Sequence, residues 1–175
     1  MTIKKFLANV AWSFIPIYVG QFAGFLISFA GYSLFPLFIH SDTGRYAACA
    51  IVTVIACIAA AFFLCRMRGE AHEQFAGYDP MQDFAAYAVA EVIYVGIMLL
   101  TGGRTFSTIN AIYACMAILG EDGTTTSEAI RTGHAGLLAL VIVCMNVVTL
   151  PAALFGFITG KKKREKERAS IHGNQ

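Results

Sequence analysis

Charged residues are nearly absent from four long stretches of the sequence: residues 11–39, 46–65, 84–101 and 135–159 contain a single one, Glu91. A soluble domain carries about 25% charged residues, so stretches of this length argue against a soluble fold. A hydrocarbon core about 30 Å thick is crossed by roughly 20 apolar residues of helix, and the four stretches meet or nearly meet that length. The pattern predicts an integral membrane protein with four spans.

Motifs of common enzymes and redox proteins are also missing. The sequence contains no Cys-x-x-Cys, His-Glu-x-x-His, nucleophile elbow or glycine-rich phosphate loop. Its five cysteines stand singly, and we interpret them as small packing residues of membrane helices. We therefore expect no cofactor and no nucleic-acid partner. No catalytic constellation is visible, which makes an enzyme the least favoured class.

The fold predicted from these runs is all-α and membrane-embedded, with one domain over residues 1–175. We expect a four-helix antiparallel transmembrane bundle, because the very short segment 40–45 makes the second helix return beside the first. An additional outer interfacial helix is expected to begin near Thr105 and to end at Leu119, before the helix-terminating Gly120. This helix is apolar on most sides, so it lies at the outer interface or folds back onto the bundle.

Lysine and arginine predict the orientation, because cytoplasmic flanks collect them. With the N-terminus inside, four spans put ten of the 13 basic residues on the cytoplasmic side and three outside. A fifth span over residues 106–119 would change this to eight against five, and at about 21 Å it is too short to cross. We predict a multi-pass protein of the cell (cytoplasmic) membrane with both termini cytoplasmic. The basic tail 160–175 is expected to contact anionic lipid headgroups.

Small residues recur every four positions in three of the runs, a spacing that lets helix backbones approach closely. The sets are Gly20, Gly24 and Ser28; Cys49, Thr53, Cys57, Ala61 and Cys65; and Ala152, Gly156 and Gly160. We predict that these ridges face a neighbouring helix of this chain or of a partner subunit. Pro16 and Pro151 are expected to kink the first and fourth helices.

Glu91 is the sharpest candidate for function, because a carboxylate deep in a bilayer is costly and marks ion or proton paths. Gln21 and Asn146 fall at similar depth, all three within roughly 5 Å of the midplane. If their helices meet, these side chains form an intramembrane polar layer. Tyr87 and Tyr94 flank Glu91 on one helix face. A structural interhelical hydrogen bond made by a neutral Glu91 is the alternative.

Polar residues at the outer rim suggest a weaker possibility. His40 and His134, with Asp42, Glu121 and Asp122, have the chemistry to bind a divalent metal ion. Their spacing follows no known ligand pattern, so we interpret them as ordinary interfacial polarity and predict no metal site.

Two functional classes stay open at this stage. The first is a small polytopic membrane protein that acts as a proton- or cation-linked transporter or channel subunit through Glu91. Four helices enclose little pore, so a homo-oligomer or other membrane subunits are expected. The second is a non-catalytic accessory or assembly subunit of a larger membrane complex, with the small-residue ridges as partner-binding faces. The inner segment 66–83 is expected to be a solvated loop without a site.

Overall fold

The structure of the protein is a computed structural model that describes residues 2–72, 79–101, 106–120 and 127–172. Every regular element in these ranges is a helix. In chain order they are α1 (Ile3–Leu34), a 3-10 helix (Phe35–Leu37), α2 (Asp42–His72), α3 (Pro80–Leu100), α4 (Phe106–Leu119), α5 (Ser127–Gly133), α6 (Ala135–Val147) and α7 (Thr149–His172). By length and composition, four helical segments are able to cross a membrane: Ile3–Leu37, Asp42–His72, Pro80–Leu100 and Ala135–Ile171.

These four segments pack around a common interior. Helix α1 packs on α2, α2 on α7, α7 on α3, and α3 on α1. Helix α4 packs against α1, α2 and α6, so it belongs to the bundle and does not stand apart from it. The interior holds most of the polar side chains discussed below, whereas many large apolar side chains lie on the outside.

Prolines mark the ends of the long helices more than their middles. Pro16 lies inside α1, which stays one continuous helix, and Pro36 falls in the 3-10 helix that follows it. Pro80 opens α3, where its missing N–H costs nothing. The side chain of Asp79 caps this helix by accepting a 3.0 Å hydrogen bond from the backbone N–H of Met81.

The small-residue ridge of α1 packs directly on α2. A Cβ atom added to Gly20 would lie 2.9 Å from the Cα of Cys57, and one added to Gly24 would lie 2.8 Å from Cγ2 of Thr53. Ser28, the third member of the ridge, shares a 3.0 Å hydrogen bond with the hydroxyl of Thr53. The sequence prediction that this ridge faces a helix is confirmed, and the helix belongs to the same chain.

The glycines of α7 bring it even closer to α2. A Cβ atom at Gly156 would lie 2.5 Å from the carbonyl oxygen of Phe62, and one at Gly160 would overlap the carbonyl oxygen of Arg66. On the facing helix, a Cβ atom at Gly69 would lie 2.7 Å from the carbonyl oxygen of Phe157. Backbone touches backbone along this contact, so no larger residue fits without separating the helices.

Helix α4 is held by its buried face and by aromatic contacts. Ala111 and Cys115 are fully buried against the bundle. The ring of Tyr113 lies 6.0 Å from the rings of both Tyr32 and Tyr46, and these two are 5.8 Å apart. We call the end of the bundle where these three tyrosines meet the aromatic end.

Candidate functional site

Glu91, Gln21 and Asn146 are all buried in the interior of the bundle, and only 5% of Glu91 is exposed. The amide of Gln21 donates a 3.4 Å hydrogen bond to Oδ1 of Asn146, which joins α1 to α6. Glu91 is linked to this pair through Thr149. The hydroxyl of Thr149 lies 2.7 Å from Oε1 of Glu91 and 2.7 Å from the backbone carbonyl oxygen of Asn146. The structure thus brings the three predicted residues into one network.

Two hydroxyl groups converge on one oxygen of Glu91. Tyr87, one helical turn earlier on α3, donates a 3.0 Å hydrogen bond to Oε1, and Thr149 donates to the same atom. The two hydroxyls are themselves 3.2 Å apart. The other carboxyl oxygen, Oε2, is buried and has no hydrogen-bond partner among the described residues. A buried oxygen in this position is free to take a proton or to face an ion.

The position of Thr149 follows from a break in the fourth apolar run. Helix α6 ends at Val147 and α7 begins at Thr149, with Val148 between them. Pro151 has no N–H to donate to the carbonyl of Val147, which explains why the helix divides here. Asn146 and Thr149 therefore lie on the two sides of the break, and both belong to the Glu91 network.

Asn110 extends the network into α4. Its side-chain amide lies 3.1 Å from the backbone carbonyl oxygen of Gln21 and 3.2 Å from the side-chain oxygen of the same residue. Asn110 is fully buried, and its Oδ1 has no partner in the described part of the chain. The sequence analysis missed this residue, because a helix that is apolar on most sides does not reveal which face turns inward.

A second polar cluster lies at the opposite end of the bundle from the tyrosines. Asp83 receives a hydrogen bond from the side-chain amide of Asn9, and its Oδ2 lies 2.8 Å from Nδ1 of His72 and 3.6 Å from Nε of Arg68. Arg68 also donates a 2.7 Å hydrogen bond to Asn9, and its guanidinium lies 4.1 Å above the ring of Trp12. We call this the charged end; it ties α1, α2 and α3 together.

The charged end corrects the expectation of a solvated loop over residues 66–83. Helix α2 continues to His72, and Asp83 lies in the first turn of α3 with only 3% exposure. The spacing of Asp83, Tyr87 and Glu91, four residues each time, would have revealed that the three share one helix face. Tyr94, predicted to flank Glu91, is buried further along the helix.

The outer-rim histidines do not assemble a site in the structure. His40 and His134 are both exposed. Asp42 pairs with Arg45, and Glu121 and Asp122 lie outside the described residues. Among the residues that the structure describes, no group of three or more His, Cys, Asp or Glu side chains is arranged to hold a metal ion.

Comparisons of this chain with protein-family models, with curated proteins and with solved structures found no match. The chemistry of the site itself is therefore what supports a function. The Glu91 network combines one carboxyl group, two hydroxyls and three side-chain amides in an interior that the described side chains largely close off from the outside. Such an arrangement can hold a proton or a small cation, or can fasten helices together.

Proposed function

We propose that this protein is an integral membrane protein, folded as a four-helix antiparallel transmembrane bundle. The four helical segments with the length and composition to cross a bilayer support this. So does the distribution of polarity, because large apolar side chains such as Phe29, Ile51, Phe63 and Val92 are exposed while Glu91 is buried. A soluble protein rarely exposes so much contiguous apolar surface. Helix α4 then rests on the bundle near its outer side.

The charged end is the cytoplasmic end in this proposal, and the membrane is the cell membrane. Asn9 contacts Arg68, and Lys163 contacts Glu70 at 3.0 Å, so both chain termini are near the same end of the bundle. This supports placing both termini on one side of the membrane, and the ten-to-three distribution of basic residues favours the cytoplasm as that side. The basic tail then meets anionic lipid headgroups.

Cysteine labelling tests the orientation. In a background without the native cysteines, Asp79→Cys and His134→Cys, both at exposed positions near opposite ends of the bundle, should react with a membrane-impermeant maleimide from opposite sides. Reaction of both from the same side would rule the topology out.

We further propose that the protein is a proton- or cation-linked transporter or channel subunit in which Glu91 carries the charge. The observation that carries this proposal is the buried Oε2 of Glu91, which has no hydrogen-bond partner among the described residues, while Oε1 is held by Tyr87 and Thr149. Burying a carboxyl group this deep in a membrane costs free energy, and such groups mark ion or proton paths. Four helices enclose little space, so the working form is a homo-oligomer or includes other membrane subunits.

Ion flux into proteoliposomes tests this function. Wild-type protein should carry protons or an alkali cation, and Glu91→Gln should abolish that flux while keeping the fold, because Gln matches the neutral acid in shape and hydrogen bonding. Thermal unfolding of both proteins in detergent checks the fold. Equal flux from wild type and variant, or none from either across a panel of ions, would contradict the proposal.

An accessory or assembly subunit of a larger membrane complex is the second candidate. The low exposure of Glu91 and its bond to Thr149, which ties α3 to α7, favour it. The small-residue ridges do not favour an accessory role, because Gly20, Gly24 and Gly156 are already covered by α2 of the same chain and are not available to a partner. Purification in mild detergent with mass spectrometry of co-purifying proteins separates the two functions, since an accessory subunit should bring its complex with it.

A further inference from the structure

Side chains that can relay a proton lead from Glu91 toward the charged end. Toward the charged end, the fully buried Tyr87 bonds to Glu91 through its hydroxyl, and Asp83 lies one helical turn beyond. Toward the aromatic end, the next side chains in the network are the amides of Asn146 and Gln21. A hydroxyl or carboxyl group can accept one proton while releasing another, whereas a side-chain amide donates only hydrogens that it keeps.

The charged end also offers contact with water. Asp83 is almost completely buried, but its neighbour His72 is 27% exposed at the side chain and lies 2.8 Å from it. His72 therefore gives the cluster a contact with solvent. Arg68, 3.6 Å from the same carboxylate oxygen, keeps a positive charge beside Asp83.

We propose that the ion handled by Glu91 is a proton, and that it passes between the cytoplasm and Glu91 through His72, Asp83 and Tyr87. This inference rests on the transport function proposed above, and it adds the identity of the ion and its route. Toward the aromatic end the network passes to the amides of Asn146, Gln21 and Asn110, so we place the route on the cytoplasmic side of Glu91.

Each step of the route conserves protons. His72 takes a proton from water and passes it to the carboxylate of Asp83. The backbone rise from Asp83 to Tyr87 is about 6 Å, and the route needs bridging water between the two side chains to carry the proton across this gap. Tyr87 accepts this proton on its oxygen as its own hydroxyl proton moves to the carboxylate of Glu91, 3.0 Å away. Tyr87 ends the cycle unchanged, and Glu91 ends it neutral.

Proton uptake by proteoliposomes tests the route. Vesicles of phosphatidylethanolamine and phosphatidylglycerol enclose a pH-sensitive dye, and a potassium gradient with valinomycin supplies the driving potential. We expect Asp83→Asn to slow uptake at least about tenfold, and Glu91→Gln to abolish it. The matched control is Asp79→Asn on the same helix: Asp79 is exposed, and Asn is an equally good cap, so uptake should not change.

Asp83 also pairs with Arg68, so a slower rate alone would fit a structural role. Formate, a small weak acid, distinguishes the two in Asp83→Ala, where the missing carboxylate leaves space for it: formate should restore uptake in Asp83→Ala but not in the Asp83→Ala/Glu91→Gln double variant. Unchanged uptake in Asp83→Asn, or no restoration by formate, would overturn the route and leave the transport function standing. Sodium or potassium flux without proton flux would overturn the identity of the ion. Wild-type protein that carries no ion at all would overturn the transport function and this inference together.

Discussion

The charged end and the aromatic end both join α1 to α2, but the charged end adds α3, the aromatic end adds α4, and the two ends use different chemistry. At the charged end, the buried Asp83 is surrounded by Asn9, Arg68 and His72 from two other helices. At the aromatic end, Tyr32, Tyr46 and Tyr113 hold α4 on α1 and α2 with rings about 6 Å apart. The charged end depends on a few charged groups that need one another, whereas at the aromatic end each ring contact contributes a small part of the stability.

This difference follows from what each group loses when its partner is removed. A buried carboxylate without its cation is left charged in a poorly solvated interior, which costs about 3–5 kcal/mol. A tyrosine ring that loses one neighbour keeps most of its burial and forfeits about 0.5–1.5 kcal/mol. The charged end should therefore be the more fragile of the two.

The largest effect is expected from Arg68→Leu. The substitution removes the guanidinium beside Asp83, the hydrogen bond to Asn9 and the stacking on Trp12, and leaves Asn9 and His72 beside the carboxylate. We expect the free energy of unfolding, measured by titration with a denaturing detergent in mixed micelles, to fall by about 3 kcal/mol.

The matched control is Arg164→Leu, because Arg164 is 47% exposed at the side chain and pairs with Glu167 on the same helix. This variant should lose less than about 1 kcal/mol. Equal losses in the two variants would mean that the cluster around Asp83 contributes no more than an exposed ion pair, and the contrast between the two ends would disappear.

A second prediction concerns the backbone contact next to the charged end. In Gly160→Ala the new Cβ would overlap the carbonyl oxygen of Arg66, so α2 and α7 must separate, at a cost of about 1–3 kcal/mol. Gly96→Ala has the opposite expected sign, because nothing lies within 4 Å of the added Cβ and Ala favours a helix over Gly by about 0.5–1 kcal/mol. The same mixed-micelle titration measures both, and a stabilising Gly160→Ala would contradict the contact.

The sequence predicts the long helices well because their length and apolar composition need no partner to be recognised. The ridges of Gly20, Gly24 and Gly156 could be found for a similar reason, since a spacing of four places them on one helix face. Gly120 marked the end of α4 correctly, and its φ of +79° is one that glycine adopts easily. Each of these features depends on residues that are close together in the chain.

Features that depend on distant parts of the chain escaped prediction. Asp83 looked like a loop residue because its partners Asn9 and Arg68 are 74 and 15 positions away, and only the packing of three helices brings them together. Thr149 was not singled out from the sequence, although its position two residues before Pro151 placed it beside a predicted kink. Asn110 escaped because nothing in the sequence of α4 shows which of its faces packs inward.

The third prediction tests the aromatic end. Tyr113→Leu removes two ring contacts, each worth about 0.5–1.5 kcal/mol, and should lower the free energy of unfolding by less than Arg68→Leu does. Tyr18→Leu is the control, because Tyr18 is 53% exposed and should tolerate the change. A loss larger than that of Arg68→Leu would reverse the ranking of the two ends.

The smallest effect is expected just outside the charged end, where Lys163 pairs with Glu70 at 3.0 Å. This pair also joins two helices, but the Lys163 side chain is 45% exposed, so water screens the charges and replaces the lost contact. Lys163→Ala should cost less than about 1 kcal/mol, and the cost should shrink further in high salt. Lys162→Ala, at the exposed neighbouring position, is the control for general loss of charge in the tail. Asp83 is more buried than Glu70. A salt-independent loss as large as that of Arg68→Leu would mean that this difference in burial does not determine the strength of the two ion pairs.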